Sequence, residues 1–392
     1  MTGADRIAIV GGGVAGLSTA MHLGRLGVGA NVTLFEARHP AAGSSSRSVG
    51  DVGVLYEGAD ELAMRLEALA FFEQVAEEVG LRFVGGLRVV DDARHRERLE
   101  RAVAAYSGQG IDARLLEPDE LTRVVPDMRV DDLAAGLWAD RAGHIDGALL
   151  CNAYLERAQA AGVTVVARAP VLDVTSGQRR RFRLVTARGE HEADVVVNAA
   201  GGWSRALGEL LGAPAPIVSQ RHQVCLARVP QGLAYPMPQF QDSFGYVDSG
   251  RGLYLRPESE TTFIAGMHHN YVPGSPSEDP DAFSGAVDPD YVEVLAEALM
   301  ERFPGLDEMG LSEGWTGLYP LSPDDHLLVG PYAGVPGVVA ATGLGGAGIQ
   351  TSYAAGRLAA EWIVRGEPSG LRDPARYLPD RPALAAVATG AS

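Results

Sequence analysis

The stretch IAIVGGGVAGLSTAMHLGRLG, from Ile7 to Gly27, and the VTLFE that ends at Glu36 decide how this chain is read. Ile7–Val10 is short and wholly apolar, as the buried centre of a parallel sheet requires. Gly11, Gly13 and Gly16 then satisfy G-x-G-x-x-G, with Val14 and Ala15 between them. In that pattern the first glycine allows a tight turn and the second admits a pyrophosphate against the backbone. The third lets helix and sheet close up. A helix from about Val14 to Leu26 carries Leu17, Ala20, Met21 and Leu23, and Val32–Glu36 reads as the next strand. Glu36 stands at that strand's end, where a carboxylate accepts ribose hydroxyls. Strand, helix and acid in register make a βαβ unit of a doubly wound fold, with a dinucleotide on the helix N-terminus.

The gross composition narrows the classes. The chain has 392 residues, enough for two domains with cores of their own, and a net charge of −17. That charge, with no basic run, argues against a nucleic-acid partner. All 33 basic residues are arginine, which removes any lysine Schiff base, P-loop lysine or lysine general base. Cys151 and Cys225 stand far apart and read as buried thiols in a reducing compartment. The first strand begins within about six residues, which leaves no room for a signal peptide. No apolar run approaches the roughly 20 residues of a membrane helix. The expectation is a soluble cytoplasmic protein without a membrane partner.

Two kinds of segment interleave along the chain. Helices are expected near Asp60–Val79, Arg94–Ala105, Pro118–Val124 and Asp146–Ala161, the last capped by Asp146 and ended by Gly162. Leu81–Asp91 reads as strands. From Arg221 to Gly266 apolar and polar residues alternate, with a turn at DSGRG, which points to an antiparallel sheet. A helix follows from Asp288 to Phe303, opened by Pro289 and stopped by Pro304. Residues 1–80, 141–220 and 316–370 are assigned to a discontinuous dinucleotide domain. Residues 81–140 and 221–315 form a second, α+β substrate domain built on the antiparallel sheet, and 371–392 form a C-terminal tail. The fold class is α/β.

Both NAD and FAD use the glycine fingerprint. GSSSRSVG (Gly43–Gly50) adds hydroxyls and backbone N–H groups, and ATGLGGAGIQTS (Ala341–Ser352) places a second glycine loop at a second helix N-terminus. A helix N-terminus there stabilises a flavin ring that becomes anionic on reduction. Four stretches in order resemble the FAD-dependent oxidases of the glycine oxidase, sarcosine oxidase and D-amino-acid oxidase superfamily. They are VGGGVAGLSTAMHL…VTLFE, GSSSRSVG, VVNAAGGWS (Val196–Ser204) and GWTGLYPLSPDDHLLVGP…GVVAATGLGGAGIQTSYAAGRLAAEWI.

The resemblance implies a Rossmann-type FAD domain and places cofactor contacts along most of the chain. Glu36, Ala37, Ser44, Ser45, Ser46, Arg47 and Ser48 follow the fingerprint. Val171 meets the adenine, and Asn198, Gly201 and Trp203 lie along the cofactor. Gly317, Gly343, Gly346, Ala347, Gly348, Ile349 and Gln350 border the ring. Relatives that bind flavin covalently use a cysteine where this chain has Gly317, or a histidine in the loop that GSSSRSVG replaces. FAD is therefore expected to be non-covalent.

Departures from the pattern bear on the substrate. In the K-x-G-x-H of sarcosine oxidases the lysine speeds reoxidation by O2. Here the stretch reads Ile264-Ala265-Gly266-Met267-His268, without the cation. Tyr319, in GLYP, replaces the arginine that takes the substrate carboxylate, and Gln350 replaces a lysine. Arg256 and Arg47 remain as cation candidates, so Arg256, Arg47 and Gln350 form the substrate set. Tyr319, Tyr254 and His268 match ring-side positions and form the catalytic set. No metal site is expected: His268 and His269 point to opposite faces of a strand, and PDDH (Pro323–His326) lacks ligand spacing.

The expected reaction is oxidation of the C–N bond of an amine or N-substituted amino acid, by hydride transfer to flavin N5. O2 is the acceptor, and H2O2 and a hydrolysing imine are the products. The alternatives are an FAD dehydrogenase of a 2-hydroxy acid or amine with another acceptor, and a non-catalytic FAD-binding subunit.

Overall fold

The computed structural model describes residues 5–53, 58–178, 181–242, 252–268, 277–306 and 308–384. Most of the DSGRG turn, His269 and the last eight residues lie outside them.

The apolar strand Ile7–Val10 is buried at all four positions and pairs in parallel with Val32–Phe35 on one side and Val195–Asn198 on the other. Thr164–Val166 and Val338–Thr342 extend this sheet in parallel, and Leu328–Pro331 closes it as an antiparallel edge. A strand covered on both faces must be apolar throughout, and two cores account for this. Ile7, Ile9, Val197 and Ala341 pack against the helices Val14–Arg25, Gly147–Ala160 and Gly348–Arg365. Ala8, Val10, Val196 and Ala340 face a small sheet, Val171–Ser176, Phe182–Thr186 and Gly189–Ala193, together with the helix Ser204–Leu210. Because the strands ending at Val10, Asn198 and Thr342 run parallel, the turns that follow them share one edge of the sheet.

The second sheet has eight strands in the order Gly310–Leu321, Val218–Arg228, Thr262–Met267, Leu253–Pro257, Gln239–Gln241, Gly86–Val90, Ala135–Ala139 and Ala113–Leu116. It is antiparallel, as the alternation implies, except that Gln239–Gln241 runs parallel to Gly86–Val90. That seam joins two distant stretches of chain, so no hairpin fixes its direction. Leu253, Leu255, Cys225, Ala265 and Met267 turn one face into a core under the helix Pro289–Arg302. The opposite face looks toward the first sheet. The chain thus has the mixed α/β architecture read from the sequence.

The segment after Gly366 is packed through residue 384. Tyr377 is buried, and Arg381 pairs with Asp324 while donating to the Leu327 carbonyl at 3.0 Å.

Candidate functional site

Gly11 adopts φ +114°, and a Cβ there would overlap the carbonyl oxygen of Ala199. A Cβ on Gly16 would overlap the carbonyl of Gly11, so the helix rests directly on the turn below it. Gly13 caps that helix without a side-chain hydrogen bond, and its first turn holds no acid. Glu36 clamps the turn from the neighbouring strand: Oε2 accepts from Gly12 N at 2.7 Å and Oε1 from Arg38 N at 2.8 Å. Ser45 Oγ accepts from Val14 N at 3.1 Å, which seats the 3-10 turn Ser44–Arg47 over the same helix end. Ser44 Oγ donates to Leu318 O at 2.6 Å, Ser48 Oγ accepts from Gly50 N at 3.0 Å, and Ser46 is exposed.

A second helix end of the same kind follows Thr342. Gly343 and Gly345 have φ of +69° and +50°, and the helix from Gly348 is capped by Ala347, again with no side-chain bond and no acid in its first turn. Two helix N-termini thus lie on one sheet edge, neither capped by the side chain of its own N-cap residue, although at the first Ser45 takes Val14 N and Glu36 takes Gly12 N. These donors suit a dinucleotide with a redox-active ring, for which Gly11–Gly16 would hold a pyrophosphate, Glu36 and Ala37 a ribose, and Gly343–Gln350 the ring. Val171 opens its strand just beyond Ala169, whose N donates to Glu36 O at 2.8 Å. Asn198 is fully buried, its Nδ2 donating to Ser204 O at 2.8 Å. Gly201 has φ +55°, and Trp203 Nε1 donates to Asp281 at 2.8 Å beneath the Arg38 guanidinium.

The wall opposite the Ser44–Arg47 turn comes from strand register. Trp315 lies beside Val224, Val224 beside Gly266, Gly266 beside Tyr254, Tyr254 beside Gln241 and Gln241 beside Arg88. One pleat along, His222 pairs with Gly317, and the next pleat pairs Gln220 with Tyr319. Side chains alternate along a strand, so these residues share one face. The Tyr319 ring stacks on His222, with centroids 3.7 Å apart and planes 20° from parallel. Tyr254 lies across Gly266, where a Cβ would overlap its ring, and His268 tilts against it with centroids 4.7 Å apart. Trp315 Nε1 donates to Arg47 O at 2.8 Å and ties the wall to the glycine–serine loop.

The three catalytic candidates therefore come together, and His222 joins them. Sequence reading passed over His222, although its place two residues after Gln220 in an alternating strand marks it for the same face. Burial first, and the nearby His268 second, push the His222 pKa down to about 3, so the imidazole is neutral. Its Nε2 lies 3.0 Å from Gln220 Oε1, within hydrogen-bond distance.

The substrate candidates disperse. Arg256 is buried on the same face as Tyr254 but one pleat further on, where it pairs with Glu258 at 2.6 Å. Arg47 donates to Thr316 O at 3.4 Å and sits over Phe283. Gln350 Oε1 accepts from Arg65 Nε at 3.2 Å. A Cβ at Gly317 would meet only Arg47 Cβ, at 3.7 Å. Asp91, Asp92 and His95 bring potential metal-ligand atoms within 4.8 Å of one another, but both Asp92 oxygens are engaged by His95 as a helix cap.

The model of the family described as DAO, FAD dependent oxidoreductase, matches residues 6–362. The chain is similar to mitochondrial dimethylglycine dehydrogenase of Rattus norvegicus, with 28% identity over 374 residues, 92% of this chain and 43% of that protein. It is also similar to mitochondrial sarcosine dehydrogenase of Homo sapiens, with 27% identity over 379 residues, 92% of this chain and 40% of that one. The chain thus spans about two fifths of the length of these relatives. Among solved structures, L-proline dehydrogenase from P. horikoshii has a TM-score of 0.82 at 21% identity, with 96% of each chain covered. Glycine oxidase from Geobacillus kaustophilus has a TM-score of 0.79 at 22% identity, with 96% of this chain and 98% of that chain covered. Both have the fold described above.

Proposed function

The chain belongs to the FAD dependent oxidoreductase family, and on that premise we propose that it oxidises the C–N bond of an N-alkyl amino acid. The observation that carries the proposal is the neutral His222 stacked on Tyr319, on the wall facing the cofactor loop. A site that suppresses a cation on His222 suppresses one on a bound amine too, because desolvation disfavours both charges. The amine is then held as the free base, the form able to release hydride. FAD, when bound, supplies the hydride acceptor. Tyr254, Tyr319 and His268 shape the wall, orient the C–H bond and exclude water. The relatives named for dimethylglycine and sarcosine support an N-methyl amino acid as substrate.

The proposed electron acceptor is O2, giving H2O2 and an imine that hydrolyses. The second reading is a dehydrogenase with another acceptor. Ile264, buried where a lysine would supply a cation, favours it, as do the relatives' names. Non-covalent FAD is part of the proposal, supported by Gly317 and by a loop of serines at Gly43–Gly50. So is a reducing, cytoplasmic compartment, supported by the two buried free thiols Cys151 and Cys225.

The test is an anaerobic visible spectrum during addition of N-alkyl amino acids, then D-amino acids, then 2-hydroxy acids, and finally air. Bleaching by an N-alkyl amino acid, with colour and peroxide returning in air, supports the oxidase. Bleaching that air does not reverse selects the dehydrogenase. No bleaching by any amine overturns the proposal.

A further inference from the structure

Residues 277–288 lead into the helix Pro289–Arg302 and are pinned to the second sheet at both ends. At the first end Glu278 N donates to Ser219 O at 2.8 Å, and Ser277 Oγ accepts from Ser219 N at 2.9 Å. At the other end Ser284 O accepts from Thr316 Oγ1 at 2.8 Å, and Ala286 O accepts from Arg221 Nη1 at 3.2 Å. Arg221 and Thr316 alternate with His222 and Trp315, so they lie on the face turned away from the site. Between these pins the chain rounds the edge strand Gly310–Leu321 and returns to the site side. A tight turn shapes that part: Asp279 Oδ1 accepts from Asp281 N at 2.9 Å, and Asp279 O accepts from Phe283 N at 3.0 Å. The turn brings Asp281 to Trp203 Nε1 at 2.8 Å and the Phe283 ring to the Arg47 guanidinium, 5.8 Å from the ring centre.

Those two partners stand on turns that flank the glycine fingerprint. On one side a Cβ at Gly11 would overlap Ala199 O, and the chain from Ala199 leads straight into Gly201–Trp203. On the other side Ser45 Oγ holds Val14 N, and Ser45 belongs to the turn Ser44–Arg47. One short turn from the second half of the chain thus touches both neighbours of the place where a pyrophosphate would sit. Asp281 is exposed and Phe283 half-buried, so each contact contributes a few-fold and can open without disturbing the sheet.

We propose that residues 279–284 form a clasp over the FAD site, closed by Asp281 on Trp203 and by Phe283 on Arg47, and that this clasp sets how slowly the cofactor leaves. Asp281 and Phe283 are positioning residues that act through Trp203 and Arg47. The inference rests on the non-covalent binding proposed above. Contact changes act mostly on dissociation, so release is the quantity to measure.

The test follows FAD release from the loaded protein after dilution, by the rise in flavin fluorescence. Asp281→Ala and Phe283→Leu should each speed release at least threefold, and the double variant at least tenfold. Asp281→Asn keeps a carbonyl oxygen for the Trp203 N–H and should stay within twofold of the parent. Urea midpoints of the FAD-free proteins should be unchanged, because the clasp acts on the cofactor and not on the fold. A variant isolated without flavin is titrated with added FAD, and a dissociation constant raised by the same factor is then the expected result. Unchanged release or affinity in the double variant overturns the inference. So does a fall in the FAD-free midpoint, which marks a merely structural loop. Flavin that stays with the acid-precipitated parent overturns the non-covalent reading and the clasp with it. Flavin freed by acid, with equal release from all variants, overturns the clasp alone.

Discussion

The Tyr319 ring lies flat against His222, with centroids 3.7 Å apart, because Tyr319 pairs with Gln220 and His222 with Gly317 on adjacent strands. Gly317 stands opposite His222 on the neighbouring strand, and a Cβ there would meet only Arg47 Cβ, at 3.7 Å. A buried neutral imidazole covered by an aromatic ring makes a dry, uncharged floor, and this feature ties the fold to the proposed chemistry. Removing the ring should expose the imidazole. Tyr319→Ala is expected to raise the His222 pKa toward 6.5 and to lower flavin reduction by substrate at least tenfold, with FAD retained. Histidine NMR titration and stopped-flow absorbance check both.

Gly266 has no room for a side chain, because a Cβ would overlap the Tyr254 ring. Gly266→Ala should swing that ring away from His268 while leaving the strand pairing intact. The expected result is a loss of turnover of ten- to a hundredfold, at a stability cost of about 1–3 kcal/mol. Tyr254→Phe, which keeps the ring in place, should lose less. Comparing the two by single-turnover reduction and by urea unfolding separates ring position from hydroxyl chemistry.

Cofactor retention should fail first at the helix that opens the chain. Gly16→Ala sets a methyl against the Gly11 carbonyl and would lift the helix from its turn. Glu36→Ala frees the amide of Gly12, now held at 2.7 Å. Both variants should lose FAD on gel filtration, Glu36→Ala more mildly, at about tenfold in affinity. Acid precipitation of the intact protein should release the flavin into the supernatant. A yellow pellet would contradict non-covalent binding.

Stability should fall in mild acid. Burial, with Arg25 and Arg357 adding to it, lowers the His22 pKa to about 3, and burial with His268 lowers His222 to about 3. Each imidazole therefore binds its proton more weakly folded than unfolded. Between pH 6.5 and 3 the unfolded chain holds more protons, so stability drops as pH falls through that window. Between pH 6.5 and pH 5 the loss is roughly 2 kcal/mol per imidazole. Asp51 acts in the opposite sense. Burial raises its pKa to about 6, so its contribution is full below about 3.8 and is lost as pH rises through 6. Urea midpoints of His22→Asn across this range should show a flatter acid slope than the parent.

Glu361 is a purely structural test. It is buried and accepts from Arg357 at 2.9 Å, Arg365 at 2.7 Å and Ser369 N at 2.8 Å. Glu361→Ala leaves the half-buried Arg357 with Glu67 and the Ser369 carbonyl, and should cost about 1–3 kcal/mol without changing the flavin spectrum.

What the sequence determined by itself was local. The glycine spacing from Gly11 to Gly16, the apolar run at Ile7–Val10 and the acid at Glu36 express one βαβ unit, held by contacts within about 30 residues. Backbone sterics at a tight turn admit few solutions, so the residues announce it. The Asp146 cap and the Pro289 helix start were legible for the same reason. Tertiary structure decided the rest. His222 joins Tyr319 across strands 97 residues apart, and Arg65 reaches Gln350 across 285. Alternation along the strand marks the face on which His222 lies, but nothing near His222 or Arg65 in the chain tells which distant residue each will meet. Their roles depend on which strand lies beside which, on the parallel seam between Gln239–Gln241 and Gly86–Val90, and on the charge that burial permits. Those quantities exist only after distant segments pack, because desolvation and orientation belong to the assembled site and not to the residue.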